Sequence, residues 1–272
     1  MHAISPRPIP NIHAPPGSLL GDASRMEFIQ TMLSIARDVP MFWLPKSTET
    51  TTSTGVDKNA KTITYDATVA ARWNALGSGL ELDFNGTDSE ADTPDTADLS
   101  FGNGSVDSPM SIVFLGDTDT IAAGTRDILT KLDLTTGTTL REWTLFNSTA
   151  TLAFRLWDES AVAYIGKSVA SYFAADTRVF GAVTYDGSGA ESGIRVYKDA
   201  ASSTLTADSS GTYVAMENTA SLVRLSMEKG AAAQANFWNG KLSLVLLANV
   251  QLSQEDLWAM KAAVNSFYGL SL

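Results

Sequence analysis

A chain of 272 residues with 44% apolar side chains is long enough to bury a full core, and only 18% of it is charged. The formal charge of −11, with no Lys/Arg cluster to offset it, argues against nucleic acid as a partner, and the absence of cysteine excludes disulfide and thiolate chemistry. The opening MHAISPRPIPNIHAPPGSLL has no basic segment leading into an apolar one and no later stretch is apolar long enough to span a bilayer, so synthesis in the cytoplasm without a signal peptide or membrane insertion is expected.

Residues 1–23 hold five of the nine prolines and both histidines, His2 and His13, without hydrophobic periodicity. This composition predicts an extended arm, with Ile9 and Ile12 as its apolar contacts. Ser24 and Glu27 have capping-box spacing, and Phe28, Ile29, Met32, Leu33 and Ala36 recur at helical intervals until Asp38-Val39-Pro40. The pattern predicts an amphipathic helix over 24–37. From Val39 onward a β pattern dominates, and the low-complexity run Ser47–Thr54 reads as a surface loop leading to Ile63-Thr64-Tyr65.

Leu80, Leu82 and Phe84 alternate with Glu81, Asp83 and Asn85, which predicts a strand with one apolar and one polar face. Val179–Tyr185 and Gly193–Tyr197 are β-rich, and the Asp186-Gly187-Ser188-Gly189 cluster between them suits positive φ, so a hairpin is predicted. A Trp238-Asn239-Gly240 turn then enters an apolar run. Ser253 and the acids Glu255 and Asp256 open a helix reaching about Tyr268, with Gly269 as its stop.

These last two blocks resemble the final third of a laminin G-like, concanavalin A-like (lectin/glucanase) jelly-roll domain. The resemblance continues upstream in family order through Val39–Leu44, Leu80–Asp88, Ile128–Asp133, Arg141–Phe146 and Thr151–Leu156. It implies an all-β antiparallel sandwich over 38–272, including a C-terminal helix at 253–268, preceded by the arm (1–23) and the helix (24–37). Glycosidases of this fold carry Glu-x-Asp-x-(x)-Glu on one strand. Here Glu81 and Asp83 fit, but Asn85 and Gly86 stand where the acid/base should be, and an amide cannot cycle a proton. With both histidines in the arm, histidine bases and histidine metal ligands are missing from the body, so the chain reads as a non-enzyme.

Family members often hold calcium at the rim of the sandwich, which nominates the hard oxygens of Asp83, Asn85 and Asp88, or Asp57. Of six tryptophans, Trp43, Trp143, Trp238 and Trp258 sit in apolar or helical contexts that predict core packing, leaving Trp73 and Trp157 as candidates for stacking on sugar rings. No catalytic residue and no obligatory cofactor are assigned. The resemblance extends to accessory proteins of tailed-phage virions. It implies a structural or adhesion part of a virus particle, as a head decoration or tail accessory, that forms a homo-oligomer and contacts capsid or tail proteins. In that expectation the arm and the first helix dock through Ile9, Ile12, Phe28, Ile29, Met32 and Leu33. The alternative is a carbohydrate-binding module for a cell-surface polysaccharide, ahead of a glycoside hydrolase.

Overall fold

The computed structural model describes residues 23–45, 52–54, 61–65, 73–135, 139–230 and 234–272. Two sheets face each other, and every long strand pairing in them is antiparallel. From edge to edge, the first orders Ala201–Ser202, Ile194–Lys198, Val179–Tyr185, Met110–Thr118, Asn239–Ala248, Gly79–Asn85 and Trp73–Leu76. Met41–Trp43 also pairs with the far half of Asn239–Ala248. The second orders Thr206–Ala207, Ala163–Val169, Thr151–Asp158, Leu140–Ser148, Thr125–Asp133, Val223–Leu225, Ala91–Thr93, Thr62–Tyr65 and Thr52–Thr54.

Strand alternation fills the space between the sheets. Leu82 and Phe84, Ile112 and Phe114, Trp143 and Leu145, and Leu152, Phe154 and Leu156 all enter one core and are at most 1% exposed. The predicted hairpin is present, with Tyr185 opposite Ile194, and Gly187 and Gly189 take the positive φ values its turn requires. All the strands that the family resemblance implied are present, and the chain is an antiparallel β-sandwich.

A second core lies on the other face of the first sheet, beneath two helices. α1 (Ala23–Ala36) and α2 (Gln254–Tyr268) pack side by side over Val113, Leu115, Phe180, Leu244 and Leu246. α2 forms as its sequence predicts: Ser253 and Asp256 make a reciprocal capping box, and Gly269 closes the helix in the left-handed region. α1 already includes Ala23, so Ser24 lies within the helix rather than capping it. Arg37 ends α1 at φ 67°, and its guanidinium reaches Asp256 at 3.0 Å, tying the end of one helix to the start of the other.

This packing corrects the docking assignment of the helix. Phe28 (4% exposed), Ile29 (2%) and Met32 (0%) are buried in the second core, and Leu33 packs at its edge. The apolar stripe on α1 is therefore consumed by the body's own sheet and by α2. A helix with one apolar face gains most by covering the nearest sheet that would otherwise expose Val113 and Leu244. Ile9 and Ile12 lie outside the described residues. Two smaller readings also change. Thr52–Thr54, expected in a loop, forms an edge strand against Thr62–Tyr65, which its β-branched side chains favour. Trp258, expected in the core, is 54% exposed, because the buried stripe of α2 runs through Leu257, Met260 and Val264.

Candidate functional site

With both faces of the first sheet covered, the outward face of the second is where the fold leaves side chains of four adjacent strands open. Alternation turns Thr144 and Phe146, and Ala153, Arg155 and Trp157, away from the core that their neighbours enter. Two β-bulges adjust this row. Between Asp127↔Phe146 and Leu129↔Leu145 the Thr125–Asp133 strand has one extra residue, and between Lys131↔Trp143 and Leu132↔Arg141 the Leu140–Ser148 strand has another. The second bulge lets Glu142 and Trp143 both point inward and returns Arg141 to the outward row. Ala153 lies in register between Phe146 and Ser168, so its short side chain leaves a depression. The result is a cavity of about 490 Å³ whose rim is completed by Asp208, Glu228 and Asn236.

Aromatic and charged groups alternate across this groove. The Arg155 guanidinium sits over the rings of Phe146 (5.0 Å) and Tyr164 (4.6 Å), with Nε 2.8 Å from Asp208 Oδ2. Arg141 lies over Trp157 at 4.2 Å and donates from Nε to Glu159 Oε2 at 2.6 Å. Asp127 is 2% exposed. Its Oδ1 accepts from Thr144 Oγ1 at 3.3 Å, while Oδ2 has no hydrogen-bond partner among the described residues. Burial pushes the Asp127 carboxyl well above the usual range and the neighbouring Glu228 adds to this, with Thr144 and Asn236 opposing. Burial also raises Glu228, whose Oε1 accepts from Asn236 Nδ2 at 2.8 Å. Trp157 Nε1 is likewise buried and unpartnered.

Of the residues nominated from sequence, the structure brings only Trp157 to this groove. Trp73 lies near the edge of the other sheet, partly buried against the main core, with its ring edge-on to Tyr65 at 5.4 Å. Glu81 also belongs to the first sheet, where Arg178 Nη2 donates to it and, at 2.8 Å, to Asp117. Burial raises the Glu81 carboxyl and Arg178 opposes the shift. That residue is a buried ion-pair partner, so the Glu81-Leu82-Asp83 strand supplies no catalytic dyad to the groove.

Asn85 organises a turn. Its Oδ1 accepts from the backbone N–H groups of Thr87, Asp88 and Ser89, at 2.9, 3.1 and 3.2 Å, and its Nδ2 donates to Asp88 at 2.6 Å. The oxygen nominated for calcium is thus already satisfied by three amides. Asp57 lies outside the described residues, and no cluster of three or more His, Asp or Glu side chains placed for a metal occurs among those described. Another carboxylate, Asp107, accepts from Tyr185 Oη, Tyr213 Oη and the Met216 amide, each at 2.7 Å, and ties the hairpin to the strand ends.

Asp127, Arg141, Phe146, Arg155 and Asp208 were not nominated, because each is unremarkable within its own strand. The available signal was Thr151-Leu-Ala-Phe-Arg-Leu-Trp157, which alternates apolar core residues with Ala153, Arg155 and Trp157 on a single outward face.

No family model matches the sequence, and no curated protein matches it. Among solved structures, the fold is similar to the binding domain of Paraclostridial Mosquitocidal Protein 1, at 10% identity and a TM-score of 0.64 over 88% of this chain and 56% of that one. It is similar to the botulinum neurotoxin serotype D ligand binding domain in complex with N-acetylneuraminic acid, at 11% identity and TM-score 0.60 over 85% and 52%. A third is the botulinum neurotoxin type C structure described by dependence of cell entry on two ganglioside molecules, at 12% identity and TM-score 0.59 over 86% and 53%. The chain spans about half the length of these structures. Likeness at this identity establishes the sandwich and leaves the site to be argued from its own residues. These three are toxin binding structures, so the laminin G-like and virion resemblance rests on the sequence motifs alone.

Proposed function

We propose that this chain is a non-catalytic carbohydrate-binding module that takes a glycan in the groove on the outward face of its second sheet. One observation carries the reading: the groove lays the rings of Phe146 and Trp157 and the guanidinium groups of Arg141 and Arg155 beside polar side chains, and two polar atoms of its lining residues, Asp127 Oδ2 and Trp157 Nε1, are buried without a partner. A sugar presents the matching set, with hydroxyls that donate and accept around a ring whose C–H faces suit aromatic side chains. The similarity to binding domains, one of them holding N-acetylneuraminic acid, supports the same reading. The test is a glycan array followed by calorimetry on the best ligand, with Trp157→Ala expected to lose binding. Incubation of that ligand with the protein is expected to release no shorter product.

We further place this module on a virus particle as an adhesion part, the setting that the sequence resemblance implies. Since α1 is spent on the body's own core, attachment to capsid or tail proteins is assigned to residues 1–22. Co-assembly of a chain lacking 1–22 with its particle would count against that assignment.

A further inference from the structure

The groove contains both signs of charge, but the two signs are not equally free. Arg141 makes two contacts with Glu159, from Nε at 2.6 Å and Nη2 at 3.3 Å. Arg155 does the same with Asp208, from Nε at 2.8 Å and Nη2 at 3.2 Å. A guanidinium held in this fork is already neutralised and its best donor pair is occupied. Asp127 and Glu228, by contrast, form no ion pair with a cation among the described residues, and one Asp127 oxygen is buried without a hydrogen-bond partner. The charged groups of the groove left without an ion-pair partner are therefore acceptors.

Resting on the carbohydrate-binding reading above, we infer that the groove selects glycans bearing hydroxyl or amino donors and rejects glycans bearing carboxylate or sulfate. An ammonium or a hydroxyl placed at Asp127 Oδ2 satisfies a buried acceptor that otherwise remains unmet. A sialic or uronic carboxylate there joins Asp127 and Glu228, two carboxyls whose charged forms burial already disfavours, with no arginine released to receive it. Adding a further buried negative charge to such a pair is the repulsive element that turns affinity into selectivity. The chain's net charge of −11 repels polyanionic polysaccharides in the same direction.

The experiment compares three immobilised probe sets on the full chain: neutral hexose oligosaccharides, partly deacetylated chitosan oligosaccharides, and sialylated or sulfated oligosaccharides. Wild type is expected to bind a neutral or amino probe at least tenfold more tightly than any anionic one. Asp127→Asn, which keeps the side chain's shape and its acceptor for Thr144, is expected to weaken that binding at least tenfold. Asp208→Asn, which frees Arg155, is expected to gain affinity for the sialylated probes. Tightest wild-type binding to an anionic probe, unchanged in Asp127→Asn, overturns the inference and leaves the carbohydrate-binding reading standing. Wild type that binds none of the three sets overturns both.

Discussion

Phe28 lies flat on Phe267, with ring centroids 4.4 Å apart and planes within 5° of parallel. Through this pair the first helix is joined to the last, and a segment whose sequence suggests an outward docking face becomes part of the interior. The consequence is a deletion series with a sharp boundary. Removing residues 1–22 is expected to leave the denaturation midpoint unchanged, whereas removing 1–37 unfolds or greatly destabilises the protein. Phe28→Ala alone is expected to cost about 3–5 kcal/mol in urea titrations, as for other large aromatic truncations in cores.

The two tryptophans nominated from sequence should behave differently. Trp157→Ala is expected to weaken glycan binding at least tenfold, about 1.4 kcal/mol, with little change in stability, because the residue lines the groove rather than the core. Trp73→Ala should lower the melting temperature and leave affinity intact, because its ring packs against Tyr65 at the edge of the core. Calorimetry and thermal melts on both variants check the pair.

Asp127 should trade stability for binding. Its folded-state pKa is raised, so between the unfolded value and the folded one the native state holds a proton that the unfolded chain has released. Stability contributed by this group is therefore lost as pH rises through that window and recovered as pH falls. Asp127→Asn, which cannot ionise, is expected to be more stable than wild type at neutral pH by about 1 kcal/mol or more, since each unit of such a shift corresponds to roughly 1.4 kcal/mol. The gap should close on acidification below the folded pKa, read by denaturation at several pH values. A gap that widened in acid would refute the assignment.

Lys131 is fully buried on the inward side of the bulged strand pair, in contact with Glu142, 3.0 Å from Asp95 and 2.7 Å from the Thr219 carbonyl. Glu142 also accepts from the Thr219 amide at 2.6 Å. Truncating one partner strands a buried charge, so Glu142→Ala is expected to destabilise the fold by about 3–5 kcal/mol. Glu142→Gln, which keeps an acceptor for Thr219, should cost measurably less in the same assay.

The Asn85 turn predicts indifference to calcium. Asn85→Ala should destabilise by about 1 kcal/mol through loss of its backbone contacts. Adding or chelating calcium should move the melting temperature of neither wild type nor variant, since the amide oxygen is held by three N–H groups.

Local features were legible in the sequence because local chemistry determines them. The Val179–Tyr185 hairpin follows from two β-rich runs and glycines able to take positive φ, and α2 follows from Ser253, Asp256 and Gly269. What a surface rests against is a non-local property. The apolar stripe of α1 predicts burial without saying whether the cover is a neighbour or the chain's own sheet. Trp258 and Trp157 sit in similarly mixed contexts, yet one projects into solvent and the other into the groove. Asp127, Arg155 and Asp208 come from three separate stretches of chain, and Arg141 joins them only because the bulge at Glu142 shifts its register. Spacing along the chain shows the outward row of one strand, Ala153, Arg155 and Trp157, and not which other strands lie beside it.

The layering also separates both described ends of the chain from the groove. Ala23 opens a helix, and Leu270 and Leu272 pack, on the side of the first sheet opposite the groove. A carrier joined at either position would approach from the face opposite the groove, and copies set side by side on it would all present the groove outward.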